Sequence, residues 1–233
     1  MKKEFVTDCG GIQPKESVTE LVFILDKSGS MAGMESDTIG GFNSMIEKQK
    51  EEKGKAYVST VLFSNRSIVL HDRKELEDIE PLTANDYVVG GGTALLDAIG
   101  GAIHHVKNIH KYAREEDVPD RTIFVITTDG MENASMEYNS EKVKSMIKER
   151  EENDGWEFLF VAANIDAVET ARHIGIRSDR AANYSVEHGT KAMYCALSKT
   201  IREYRRSGSI SESWSAPIEA TKSGKKQSGK TKK

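Results

Sequence analysis

Asp26, Ser28 and Ser30 stand at alternate positions around Gly29, in the stretch LVFILDKSGS that runs from Leu21 to Ser30. Three short oxygen-bearing side chains at that spacing can turn their oxygens toward one point. Hard divalent cations bind such sets: magnesium takes about six oxygens at roughly 2.0–2.1 Å and accepts hydroxyls, carboxylates and waters. An Asx or Ser turn leading into the next helix would use the same residues. On this stretch alone the two readings weigh equally.

Two further loops offer oxygens. Gly92-Thr93 precedes a strongly periodic segment, and Thr128-Asp129-Gly130 closes an apolar run. Each has an ordinary reading: Thr93 suits the N-cap of a helix beginning at Leu95, and Asp129-Gly130 suits a turn. Around them, Asp97 falls in the first turn of that helix, where a carboxylate favours the helix dipole. Glu132 and Asn133 follow Asp129 and are candidates for orienting waters or lining a rim. His104, His105 and His110 have no i, i+4 spacing, so they do not form the ligand pair that helical zinc sites use.

The elements that must position these residues follow from periodicity. Five apolar residues, Leu21–Leu25, run into Asp26 and predict a buried central strand over 20–25 with the acid at its carboxyl end. A helix is expected over 34–49, weakened by Gly40-Gly41, where something must pack closely. Residues 56–63 and 67–71 form a hairpin joined by Ser64-Asn65-Arg66, and a polar link then leads to the Gly90-Gly91-Gly92 run. A helix over 95–112, a strand over 121–128, a helix over 140–152 and a strand over 157–162 follow. A short helix over 166–174, an edge strand over 181–186 and an amphipathic helix over 190–205 complete the body. Alternation of strand and helix argues for an α/β doubly wound, mostly parallel, Rossmann-like sheet with one antiparallel edge hairpin strand and helices on both faces. In such sheets ligands bind beyond the carboxyl ends of strands, where strand order reverses. Asp26 and Asp129 both fall at such ends.

At 233 residues the chain fits one domain with tails. The organisation expected is an N-terminal arm over 1–17, a domain over 18–206, and a disordered Ser/Gly/Lys-rich tail over 207–233, in which Trp214 is loosely docked or solvated, or part of a linear binding motif. Net charge is −4, but residues 221–233 hold six lysines and no acid, leaving −10 on the rest. That body offers little attraction to nucleic acid, and the tail would bind it only weakly. Two distant cysteines, Cys9 and Cys195, give no disulfide framework, and Cys195 fits a helix-packing position. No apolar run approaches the roughly 20 residues of a membrane helix, and the first residues lack a secretory pattern. A cytoplasmic protein is expected.

DKSGS, GGGTALLDAI and TTDG, in this order and spacing, resemble the von Willebrand factor A domain family. The resemblance spans about residues 18–206 and points to bacterial or phage-borne stand-alone members. It rests on that family's metal ion-dependent adhesion site, whose Asp-x-Ser-x-Ser, distant Thr and distant Asp fall on Asp26, Ser28, Ser30, Thr93 and Asp129. The resemblance implies a divalent cation at the top of the sheet and a partner protein that supplies an Asp or Glu to it. Magnesium or manganese suits a small all-oxygen set better than calcium, and zinc prefers nitrogen or sulfur. A neighbouring copy of the chain supplying the acid would give self-association.

Other function classes fare less well. A metal-dependent phosphoryl-transfer enzyme built on Asp26 needs a second carboxylate two residues on, where Ser28 stands. The glycine-rich run lacks the Lys-Ser/Thr of a phosphate-binding loop. A scaffold with a nucleic-acid-binding lysine tail is the remaining alternative. The expectation is a non-enzymatic, metal-dependent protein-binding module.

Overall fold

The computed structural model describes residues 17–221, apart from the side chains of Glu187 and His188. Residues 1–16 of the expected arm, Cys9 among them, and the lysines from Lys222 onward lie outside the described residues. Strand β1 (Thr19–Asp26) is buried along its whole length. It pairs in parallel with β2 (Ala56–Phe63) on one side and β4 (Arg121–Thr128) on the other. The sheet has six strands in the order β3-β2-β1-β4-β5-β6, where β5 is Glu157–Ala162 and β6 is Ala181–Asn183. Among the described residues only β3 (Ser67–Glu75), the return limb of the hairpin, runs antiparallel, and it forms one edge. The expected doubly wound, mostly parallel sheet is the architecture observed.

The unbroken apolar run of β1 exists because both of its faces are covered. Leu21, Phe23 and Leu25 point into one core, with Phe42, Met45 and Ile46 of α1 (Glu35–Lys50) and Leu197 and Ile201 of α5 (Val186–Ser207). Val22 and Ile24 point into the other, with Ile99, Ile103 and Val106 of α2 (Leu95–Tyr112), Val143 and Ile147 of α3 (Ser140–Asp154), and Ala171 of α4 (Ala167–Ile174). Chain order moves outward from β1 to β2 and β3, then crosses back to β4 and moves the other way. The reversal places the carboxyl ends of β1 and β4 side by side.

The glycine pair in α1 divides by role. A Cβ on Gly41 would stand 2.1 Å from the Tyr194 ring of α5, so that position carries the close helix–helix approach, whereas Gly40 faces open space.

Several expectations need correction. β3 continues to Glu75, four residues past the expected end. The link that follows is polar in composition but buries Leu76, Ile79, Leu82 and Tyr87 against the first core. β6 stops at Asn183, and α5 starts at Val186, four residues early. Cys195, expected to pack, is exposed on α5.

The disordered tail does not begin at 207. Ile210, Trp214 and Ile218 are buried in the first core, and a short helix α6 (Ala216–Glu219) docks there. The Trp214 indole N–H donates to the Asp179 carbonyl at 2.8 Å. Composition is a poor guide in this stretch because three apolar side chains, spaced four apart, suffice to anchor an otherwise polar segment.

Candidate metal centre

Asp26 is the last residue of β1, and its main-chain carbonyl accepts the Tyr87 hydroxyl from beneath. Its carboxylate is held at both oxygens: Oδ1 accepts the Ser28 N–H at 2.7 Å, and Oδ2 accepts the Thr128 hydroxyl of β4 at 2.5 Å. The first contact is the Asx turn that the sequence allows. Turn and oxygen cluster are therefore one arrangement, because the turn brings Ser28 back over the carboxylate.

From that turn the hydroxyls line up. The Ser28 and Ser30 hydroxyls are 3.0 Å apart, and the Ser30 hydroxyl donates to Asp129 Oδ1 at 2.5 Å. Thr93 enters from a separate loop. Its surroundings are fixed by the Gly29 N–H donating to the Gly91 carbonyl at 3.0 Å and the Gly90 N–H donating to the Lys27 carbonyl at 2.9 Å. The helix behind it is capped at Ala94, so Thr93 is not the N-cap that its position suggests. Its hydroxyl is spared for the cluster instead.

Gly130 marks where these groups converge. A Cβ at this position would lie 3.0 Å from Ser30 Oγ, 3.1 Å from Thr93 Oγ1 and 3.9 Å from Ser28 Oγ. All five sequence candidates, Asp26, Ser28, Ser30, Thr93 and Asp129, are thus brought together. All except Ser30 are buried, and Ser30 opens to solvent.

The electrostatics are unbalanced. Burial pushes the carboxyls of Asp26 and Asp129 above the ordinary range, and the charge of Asp26 pushes Asp129 further up. Hydroxyl and amide donors offset only part of this. Asp129 Oδ2 is buried with no hydrogen-bond partner among the described residues. A buried carboxylate oxygen without a partner is costly, and a bound cation would satisfy it. The residues present therefore fit a hard divalent ion: three hydroxyls gather beside the Asp129–Gly130 turn, with two buried carboxylates in hydrogen-bond contact with them or their loop. Among the described residues no three His, Cys, Asp or Glu side chains gather in the manner of a nitrogen- or sulfur-rich centre.

The three flanking candidates act on the backbone. Glu132 accepts the N–H groups of Ala134 and Ser135 with Oε1 at 2.9 and 2.8 Å, and that of Leu96 with Oε2 at 2.9 Å. Asp97 accepts those of Met136, Glu137 and Tyr138 at 2.8–2.9 Å. Asn133 accepts the Thr93 N–H at 2.9 Å. Together they fasten the loop after β4 to the start of α2 and so position Thr93 and Asp129. Asp97 stands in the first turn of α2 and holds this loop as well.

Sequence reasoning misses Tyr87 and Asn65, and it includes Thr128 and Gly130 in their loop without giving either a role of its own. Thr128 adjoins Asp129 in the TTDG stretch, so a signal exists for it. Asn65, whose side chain accepts the Gly92 N–H at 2.6 Å, shows none, because the hairpin tip reaches the glycine run only in three dimensions. The histidines point elsewhere: His105 to Asp72 at 2.7 Å and His110 to Glu20 at 2.6 Å.

Neither a protein-family model nor a curated protein sequence matches this chain. Solved structures do. Proximal thread matrix protein 1 from the mussel byssus superposes with a TM-score of 0.54 at 12% identity, over 82% of this chain and 46% of that one. A von Willebrand factor type A structure from Catenulispora acidiphila gives a TM-score of 0.53 at 13% identity, over 79% of this chain and 42% of that one. The chain spans less than half the length of either. Strand order, the antiparallel edge hairpin and these superpositions together give this chain the von Willebrand factor A fold, with its oxygen cluster at the ends of β1 and β4.

Proposed function

We propose that this protein is a metal-dependent protein-binding module. Asp26, Ser28, Ser30, Thr93 and Asp129 hold a magnesium or manganese ion. When bound, the ion supplies a Lewis-acid position that a carboxylate oxygen from a partner protein completes. The observation that carries this reading is the convergence of three hydroxyls and two carboxylates, with Asp129 Oδ2 buried and unpartnered.

The chain's own residues set the character of the site. Three of the five donors are neutral, so the set leaves a divalent ion's charge incompletely balanced and favours an incoming anion. Asp26 is held at both oxygens, which fixes the direction in which its remaining lone pairs point. Ser30 is the exposed member, so approach from outside comes across it. A hydrolytic or phosphoryl-transfer role finds no general acid or base two residues after Asp26, where the buried hydroxyl of Ser28 stands. Among the described residues no helix is long and apolar enough to cross a membrane.

The test is a pull-down from lysate with wild type and Asp26→Ala, each with magnesium and with chelator, alongside calorimetric titration of the metal. A partner retained only by wild type in magnesium supports the reading. Equal metal affinity in Asp26→Ala and wild type sinks it.

A further inference from the structure

We propose that the opposite end of the sheet carries a second binding site, a cavity between the ends of α2 and α3 that takes a small phosphate monoester with an apolar or planar body. The oxygen cluster takes no part in it.

The cavity has a volume of about 400 Å³, within the range of small-molecule sites. Helices α2 and α3 end on it, and the segments leading into β4 and β5 close it. It therefore lies at the amino ends of the parallel strands, whereas Asp26 and Asp129 stand at the carboxyl ends. Val118, Pro119 and Trp156 give it an apolar wall.

Its polar groups are donors short of acceptors. Trp156 is buried, yet its indole N–H meets no acceptor among the described residues, in contrast to that of Trp214 on the Asp179 carbonyl. A buried tryptophan ordinarily places this group on a partner. His110 is held through Nε2, 2.6 Å from the carboxylate of the fully buried Glu20, and its Nδ1 has no partner among the described residues. An imidazolium beside that carboxylate donates from both nitrogens. Lys111 has no carboxylate within ion-pair distance among the described residues, and Lys107 reaches Glu149 at 3.3 Å on the surface. On the cavity itself Lys107, Lys111 and Arg150 face a single acid, Asp154. Cations in the last turn of a helix also offset its dipole, so the lysines alone would indicate nothing. The unused indole N–H has no such explanation, and together with the cations it selects an anion.

The kind of anion follows from which donors remain. The guanidinium of Arg150 would match a planar carboxylate two-to-two, but its arms already hold Asp154 and Glu149, and its Nε is buried without a partner among the described residues. Two ammonium groups, an imidazole and an indole are left, each a separate donor. A phosphate accepts through three oxygens in different directions, and lysine binds it as a point charge. The body of the ester would cover the Val118–Pro119 wall.

Phenyl phosphate, benzoate and phenol, titrated into the full chain in chelator at constant ionic strength, test the site. The readout is the pair of indole ¹⁵N–¹H signals, assigned with Trp214→Phe. Phenyl phosphate should move the Trp156 signal, leave that of Trp214 in place, and bind about tenfold more tightly than benzoate or phenol. The double variant Lys107→Ala/Lys111→Ala should weaken phenyl phosphate about tenfold at an unchanged melting temperature. A Trp156 signal that phenyl phosphate leaves unmoved, equal affinity for benzoate, or equal affinity in the double variant overturns the proposal.

Discussion

A methyl group at Gly130 would sit 3.0 Å from one serine hydroxyl and 3.1 Å from the Thr93 hydroxyl, among the oxygens proposed to hold a cation. Gly130→Ala should therefore lower magnesium affinity at least tenfold while leaving the metal-free melting temperature nearly unchanged. Calorimetric titration and thermal denaturation in chelator check the two halves. The buried acids give a second prediction. The folded-state carboxyls of Asp26 and Asp129 sit above the ordinary range, so the native state binds protons more tightly than the unfolded chain. The contribution of these two groups to metal-free stability should then be fullest below the unfolded carboxylate value near 4 and be lost as pH rises through their folded-state values. Asp129→Asn keeps an acceptor for Ser30 but removes one buried charge. It should flatten that pH dependence, raise stability in chelator by about 1 kcal/mol, and abolish stabilisation by magnesium. A stability gain from Asp129→Asn in chelator that is no larger at pH 7 than at pH 4 would contradict this.

Elements carry their own consequences. The helix pair α1 and α5 meets where Tyr194 lies across Gly41, while Gly40, one residue away, faces open space. Gly41→Ala should destabilise by roughly 1–3 kcal/mol through overpacking. Gly40→Ala should stabilise by up to about 1 kcal/mol through helix propensity alone. Urea denaturation of the two variants makes the comparison, and effects of equal sign would show that the contact is not what sets these positions apart. The loop after β4 depends similarly on its carboxylate staples. Glu132→Gln loses the charge-assisted part of three amide contacts and should increase hydrogen exchange across 131–136 without unfolding the sheet.

At the scale of the molecule, the segment after α5 belongs to the core. Trp214 is 5% exposed and Ile218 is fully buried, so Trp214→Ala should cost about 3 kcal/mol in a denaturant titration. A disordered tail would give no change. The placement also alters how the lysine-rich end can be examined. A deletion from 207 would remove part of the core, so a variant that separates lysine-mediated nucleic-acid retention from metal-dependent binding has to begin at Lys222.

The sequence by itself determined the alternation of strands and helices, the buried central strand β1 and the turn that gathers Asp26, Ser28 and Ser30. Each of these is written locally. Leu21–Leu25 is apolar at every position because both faces of the strand are covered, and Asp26, Ser28 and Ser30 are bound to one another by a turn of five residues. Thr93 and Asp129 were legible because their loops resemble a known pattern, although local spacing alone made one a cap and the other a turn. Tertiary structure decided what no local window contains. Strand order put β4 beside β1 and so brought Asp129 to Ser30 across 99 residues of chain. The same packing sent Asp97 and Glu132 to main-chain amides, seated Trp214 against Asp179, and left Cys195 exposed. Those outcomes depend on which surfaces remain uncovered once the sheet has formed, and periodicity within one segment carries no record of the surface presented by another.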